Sequence, residues 1–475
     1  MGDDLAFLTA TALIDRYRAS RLSPVEIVDT ALARIARLEP TLNAFQLLDA
    51  ESARAAARRS EQRWRRGTPK GTLDGVPITI KDMVLTQGWP TLNGSRTTNP
   101  DQPWTEDAPA VARLREAGAI LLGKTTTPEF GWKAITDSPL RGITRNPWNP
   151  AQTPGGSSGG AAAALAAGIG ALAHGTDGGG SIRIPSSYCG LYGFKPSWGR
   201  VPHYPQASPF ATLTTSGPIA LSVADAALML TELAKPDARD GTALPHEARD
   251  YRQGLEDGVT GLRVAYSPNL GGAAPRPEVL SLVTQSVDIF RDSGAGVAEV
   301  GAIIEPLQPV FEAYWLAGFA ERLRQIAPEK RELLDPRFRA LAEEGLAVGL
   351  EAYYAAIVAR ARLAAQFETF LRDYDLLVTP TMPTTAPPVT TLYHSENFDR
   401  WRDAVPYTLP FNLTGQPAAS IPCGVTAEGL PVGLQIIGRR GADALVLRAS
   451  RAFERATEWQ VPHPALAASL ERLDA

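Results

Sequence analysis

Apolar residues recur at helical spacing from Leu5 to Ala19 and again from Pro24 to Leu38, then give way to short apolar runs. The first two patterns predict helices. The second opens with Ser23 as N-cap and Pro24 at the first helical position. Asn43–Leu48 reads as a strand and Ala50–Arg66 as a basic helix. Further strands are predicted at Val76–Lys81, Ala119–Gly123, Gly170–His174, Leu262–Tyr266, Gly296–Val300 and Leu376–Thr379, with helices such as Pro109–Ala117 and Gly160–Ala167 between them. Such alternation predicts an α/β fold, a large sheet covered by helices. Residues 1–70 read as an N-terminal helical arm packed on a core at 71–235, and 236–475 as the remainder of the same domain. Lys235–Gly258, rich in Pro, Asp and Gly, predicts a boundary or a long surface connection. From Leu262 to Val300 the pattern is strand–helix–strand, and helices continue to about Tyr374.

Composition narrows the class. The 475 residues are 44% apolar and 21% charged, with 42 Gly and 39 Pro, the profile of a globular protein. A formal charge of −4 argues against nucleic acid or an anionic membrane as the main partner. The arginines at 54, 58, 59, 63, 65 and 66 fit a solvated helix face better than a nucleic-acid patch. The longest apolar run, Ala161–Ala173, is too short to span a bilayer. The start, Met1-Gly2-Asp3-Asp4, is acidic where a secretory leader would be basic, so a cytoplasmic location is expected. Cys189 and Cys423 cannot build a disulfide framework and read as inert thiols.

The candidate chemistry lies in two glycine-rich loops and a lysine. Ser157 sits in Pro154-Gly155-Gly156-Ser157-Ser158-Gly159-Gly160, and Ser181 in Gly178-Gly179-Gly180-Ser181-Ile182-Arg183. Glycines let the backbone approach a ligand closely, and a serine flanked by free amides with a base in reach suits acyl transfer. The base candidate is Lys81, which ends the apolar run Gly75-Val76-Pro77-Ile78-Thr79-Ile80. To act as a base near pH 7 it needs a pKa about three units below its usual 10.4, a sign of shift that burial supplies. An ordinary buried ion pair is the alternative, although Asp82, as its neighbour on a strand, points to the opposite face. For Ser157 and Ser158 the alternative is capping of the Ala-rich helix that follows; for the glycines before Ser181, a turn that needs glycine for sterics alone.

These motifs, in this order, resemble the amidase signature family of serine hydrolases: GVPITIKD, then PGGSSGGAAAA, then GTDGGGSIRIPSSYCGLYGFKPSWGRVP. The similarity runs from about Ser23 to about Gly438 and closes with Asn412-Leu413-Thr414-Gly415-Gln416-Pro417 and Leu430-Pro431-Val432-Gly433-Leu434-Gln435. The resemblance implies a mixed sheet sandwiched by helices, with the catalytic residues in 71–235 and a variable substrate-pocket region at about 262–375. It also implies a Ser–cis-Ser–Lys triad, with Ser181 as nucleophile, Ser157 as bridging serine after a cis peptide and Lys81 as terminal base. The amides of Gly178, Gly179, Gly180 and Ser181 are the candidate oxyanion hole, with Ser158, Asp177 and Arg183 in support. Gly178 departs from the family, which usually carries a larger residue such as Thr or Ile there.

Hydrolysis of an amide, anilide or carbamate through an acyl-enzyme is therefore expected, without cofactor or metal. The family also includes a glutaminase, one component of the aminoacyl-tRNA amidotransferase, which is the main alternative. Arg339-Ala340-Leu341-Ala342-Glu343-Glu344-Gly345, before Tyr353-Tyr354, does not resemble that glutaminase's characteristic stretch. Trp132, Tyr314 and Phe411, with Phe210 and Trp315, are candidates to line an apolar pocket, core packing being the alternative for each. A homodimer is compatible with the sequence without being required by it. Two other motifs fit a pattern but not its context. Gly118–Thr125 matches the P-loop expression but follows a helix and is itself strand-like. Gly155–Gly159 matches a nucleophile elbow, which leaves as a rival a Ser–His hydrolase built on Ser157, an acid such as Asp375, and His394 or His463.

Overall fold

The computed structural model describes residues 3–205, 212–305, 307–390, 404–457, 459 and 461–474. Phe210 and His394 lie outside the described residues. The strands in chain order are β1 (Phe45–Leu48), β2 (Pro77–Lys81), β3 (Ile120–Thr125), β4 (Asp137–Ser138), β5 (Gly142–Ile143), β6 (Leu172–Asp177) and β7 (Tyr192–Lys195). They continue as β8 (Thr215–Ala220), β9 (Arg263–Tyr266), β10 (Gly296–Glu299), β11 (Leu376–Pro380), β12 (Ala418–Val425) and β13 (Pro431–Gly438). Eleven of them form one sheet in the order β1-β3-β2-β6-β8-β7-β12-β13-β11-β9-β10, while β4 and β5 pair separately. The sheet is mixed: β3, β2 and β6 run parallel, as do β11, β9 and β10, and the pairings between these two blocks are antiparallel.

Both faces of the sheet are covered. On β11, Leu376 and Val378 join one apolar cluster and Leu377 another, as period-two alternation requires. The first cluster takes Val223, Val283 and Leu447 from helices Val223–Leu233, Pro277–Asp292 and Asp443–Thr457. The second takes Phe319, Leu363 and Phe367 from helices Gln308–Gln325 and Leu350–Phe370. A mixed sheet sandwiched by helices is therefore present as expected, and its strands join residues from 45 to 438 into one layer.

Local signals explain where the elements begin and end. Ser23 caps helix Pro24–Leu42 through a full capping box with Glu26, and Asn43 ends it in a left-handed conformation. The single helix predicted over 5–19 is instead two, Asp3–Ala6 and Ala10–Arg18. Thr9 accepts from the Ala12 amide, and the Asp225 carboxylate takes the amides of Ala10 and Thr11, so a fresh helix N-terminus forms there. β1 then inserts as the edge strand of the main sheet, so residues 1–70 contribute to the sheet as well as to a helical arm. The segment 235–258 contains no helix or strand.

Candidate active site

β2 and β6 lie side by side and parallel, with Ile78, Thr79 and Ile80 opposite Leu172, Ala173 and His174. Their C-terminal ends therefore share one edge of the parallel block, where open α/β sheets carry their ligands. Lys81 is the last residue of β2 and is fully buried. Its Nζ lies 2.7 Å from Ser157 Oγ and 2.9 Å from Thr176 Oγ1. No carboxylate pairs with it among the described residues. Asp82, the next residue, faces the other side, where it takes the amides of Leu92 and Gly94 and lies 3.8 Å from Lys124 Nζ. Burial lowers the Lys81 ammonium from its usual range to about 7, against the opposing charge of Asp177.

The serine loop meets this lysine from the side. The Gly156–Ser157 peptide is cis. A Cβ on Gly156 would fall 2.7 Å from the carbonyl oxygen of Ile135, so only glycine fits that approach. Ser158 stands at the N-cap position of helix Gly159–Ala166 but makes no side-chain cap. Its hydroxyl donates to the Thr176 carbonyl (3.2 Å) and accepts from the Thr176 amide (3.3 Å), stitching the loop to β6 instead. Its own amide donates to the Ser181 carbonyl at 3.2 Å, which joins the two serine loops. Among the described residues no hydrogen bond links the Ser157 and Ser181 hydroxyls, and Lys81 is the one partner of Ser157 Oγ.

Ser181 follows the end of β6 by four residues and precedes helix Arg183–Cys189. The turn is held by Asp177, whose carboxylate accepts from the Gly180 amide (2.7 Å), the Ile182 amide (3.1 Å) and the Arg183 guanidinium (2.9 and 3.0 Å). Burial alone would raise that carboxyl; Arg183, with Lys195 and Asn412, more than reverses the effect and holds it well below the usual carboxylate range. Arg183 also donates to the Thr408 carbonyl, Gln435 Oε1 and Asn412 Oδ1 at 3.0, 2.7 and 2.6 Å. Of the four amides expected to face an oxyanion, that of Gly180 is thus turned to Asp177. Those of Gly178, Gly179 and Ser181 have no hydrogen-bond partner among the described residues.

Thr176, Asn412, Gln435 and Thr408 were given no role by the sequence reading, although the first three stand in motifs that carry the resemblance. The Thr176 hydroxyl accepts from Lys81 Nζ, the side chains of Asn412 and Gln435 hold Asp177 and Arg183, and Thr408 donates to the Gly179 carbonyl at 2.7 Å. The turn Glu129–Gly131 was also missed. Phe130 and Gly131 both take positive φ there (50° and 70°), and a Cβ on Gly131 would lie 3.1 Å from Ser157 Oγ. Glu129 anchors the turn by accepting from Ser95 Oγ and the Asp335 amide.

Trp132, Tyr314 and Phe411 are buried in one apolar cluster that also holds Ile184, from the helix after Ser181. Tyr314 packs on Tyr353, Phe411 on Phe367, and Trp132 accepts from Trp315 Nε1 through its carbonyl. A separate cavity of about 260 Å³ includes Thr176, Met83, Phe130 and His203 in its wall. Asp375 binds Arg263, and His463 stacks on Trp148 and Trp459, so the rival Ser–His arrangement brings neither residue into contact with Ser157. The P-loop-like segment is strand β3, with Lys124 Nζ engaged by the Val84 carbonyl and Thr91 Oγ1 at 2.7 Å each. No helix among the described residues is long and apolar enough to cross a membrane.

Comparison with known proteins gives the family and the fold. The family model described as Amidase matches residues 26–447. An acylamidase of Rhodococcus erythropolis is 37% identical over 473 residues, covering 97% of this chain and 98% of that protein. The A-type subunit of the glutamyl-tRNA(Gln) amidotransferase of Chloroflexus aurantiacus is 37% identical over 487 residues, covering 98% and 99%. Among solved structures, a bacterial aryl acylamidase of the amidase signature family superposes with a TM-score of 0.89 at 31% identity, over 99% of each chain. A family model matched from residue 26 to 447 and relatives 37% identical over nearly the whole chain give the conclusion: the chain belongs to the amidase signature family.

Proposed function

We propose that this chain hydrolyses the C–N bond of a small carboxylic amide, anilide or carbamate through an acyl-enzyme on Ser181. The observation that carries the reading is the 2.7 Å contact between Ser157 Oγ and the buried Nζ of Lys81. A lysine lowered to about 7 is about half neutral at pH 7 and mostly neutral above it, with a lone pair to accept a proton. Ser181 Oγ attacks the carbonyl carbon; its proton passes to Ser157 Oγ, and the proton of Ser157 passes to Lys81 Nζ. The carbonyl oxygen, now negative, rests on amides of the Gly178–Ser181 loop, Gly180 excepted. Removal of one such donor typically costs about 3–4 kcal/mol. The relay then runs backward, delivering a proton to the leaving nitrogen, which as a bare amide anion would be a very poor leaving group. Water attacks the resulting ester and releases the acid.

The Ser157–Ser181 link in this relay has to close when substrate seats, since the two hydroxyls make no hydrogen bond in the free protein; catalytic hydrogen bonds commonly tighten on substrate binding. Ser181→Ala and Lys81→Ala each lower kcat by at least about 1,000-fold while circular dichroism stays unchanged. Near-normal turnover by purified Ser181→Ala on any amide the wild type hydrolyses contradicts the assignment.

A second reading, glutaminase within an amidotransferase, is supported by the 37% identity to the Chloroflexus protein. Activity of the isolated chain separates the two. Aryl-amide hydrolysis without partner subunits supports the stand-alone hydrolase; glutamine hydrolysis that appears only with added partners supports the other.

A further inference from the structure

Helix Leu350–Phe370 buries one side and leaves the other apolar and bare. Leu363 and Phe367 fix its inner side to the core, and Arg360 bonds the Leu413 carbonyl and Thr212, so the outer side stands on a rigid support. On that outer side Leu350 is 83% exposed and Tyr354 64%, with Ile357, Val358, Ala361 and Ala365 exposed in line with them. Apart from the adjacent Ile357 and Val358, the positions follow one another by three or four residues, the spacing of a continuous helical stripe. Contiguous exposed apolar surface of this kind marks an interaction site.

The order of residues along the stripe says what covers it. Its apolar positions are symmetric about a midpoint: Leu350 and Ala365, Tyr354 and Ala361, Ile357 and Val358 are equidistant from it, a larger residue facing an alanine in the two outer pairs. Two copies laid antiparallel across a two-fold axis therefore match apolar with apolar along the whole helix, each residue meeting its mirror position. Glu351 and Arg362, eleven residues apart, sit just over three turns from each other on the same flank of the stripe. Both are exposed, and neither has an ion-pair partner among the described residues. A two-fold centred on the stripe brings Glu351 of each copy close to Arg362 of the other, forming two equivalent pairs. The flank carries one charge of each sign, which gives an anionic membrane no net attraction.

We propose that the outer face of helix Leu350–Phe370 is the antiparallel interface of a homodimer, closed by reciprocal Glu351–Arg362 pairs. From Leu350 to Ala365 the stripe is about 22 Å long, at the small end for a specific contact, so a weak dimer in the micromolar range is expected.

Sedimentation velocity of the full chain over about 1–200 μM tests this. The wild type shifts from monomer to dimer as concentration rises, and Tyr354→Glu stays monomeric with its circular dichroism and its amide hydrolysis intact. Glu351→Arg and Arg362→Glu each weaken the dimer by at least about 5-fold, and the two together restore it. Three results overturn the proposal: a wild type monomeric throughout, a dimer indifferent to Tyr354→Glu, or a double reversal that fails to restore association. A monomeric chain that pellets with phosphatidylcholine vesicles, and loses this with Tyr354→Glu, overturns it in favour of a lipid surface.

Discussion

At the scale of single residues, the site rests on two buried cations used in opposite ways. Arg183 is fully buried, and Asp177, Asn412, Gln435 and the Thr408 carbonyl together replace the water around its guanidinium. Lys81 is equally buried but has only hydroxyls and a carbonyl around it, so desolvation prevails and its proton is loosely held. Arg183→Met strands the Asp177 carboxylate without its main partner; denaturant titration shows a loss of about 3–5 kcal/mol of stability. Thr176→Val removes the second polar contact of Lys81 at nearly constant volume, and steady-state kinetics shows kcat lowered about 10-fold with KM little changed. Lys81, Ser157 and Ser181 were legible in the sequence because each stands in a motif. Thr176 sat unassigned inside one of those motifs, since only the register of β6 beside β2 brings its hydroxyl to the lysine. The bond from Gly180 to Asp177 was not legible either: glycine letters report backbone freedom and not which amide turns inward.

At the scale of elements, glycines and local caps decide how the loops reach the site. Gly180 has φ +127°, and a Cβ there would lie 2.7 Å from Cβ of Thr408, whose hydroxyl holds the Gly179 carbonyl. Gly180→Ala therefore displaces the Ser181 loop: a drop of at least about 100-fold in kcat/KM is expected, together with a lower melting temperature. The apolar runs that became β2, β3, β6, β9, β10 and β11 were readable from pattern alone. β7, β8, β12 and β13 were not, although they occupy the middle of the sheet. β7 spans four residues, β8 contains Gly217 and Pro218, and β12 contains Pro422 and Gly424 where its register with β13 shifts. Proline and glycine argue against a central strand; in β12 a register shift accommodates them, whereas β8 keeps regular register with β6 through Gly217 and Pro218.

At the scale of the whole molecule, one sheet carries strands from both halves of the chain, and the site hangs on that union. Ser157 and Ser181 come from the parallel block, while Asn412 and Gln435, which hold Arg183, come from the far half and meet it across β12 and β13. The long connection at 235–258 therefore separates two stretches of sequence and leaves the sheet continuous. A chain cut in this connection is expected to lose amidase activity in either fragment alone and to recover it when both are refolded together, measurable by aryl-amide hydrolysis. The mixed sheet was foreseen through resemblance; its strand order was not, since pattern carries no information on which strands become neighbours.

The central claim is that uncharged Lys81 draws the proton of Ser181 through Ser157. Its most direct measurement is the rate of inactivation by a fluorophosphonate as a function of pH, with the labelled peptide mapped. The claim predicts a label on Ser181, a rate that rises with pH through an apparent pKa near 7 as Lys81 loses its proton, and loss of that rise in Lys81→Met. A label on another residue, or a pH profile that Lys81→Met leaves unchanged, contradicts it.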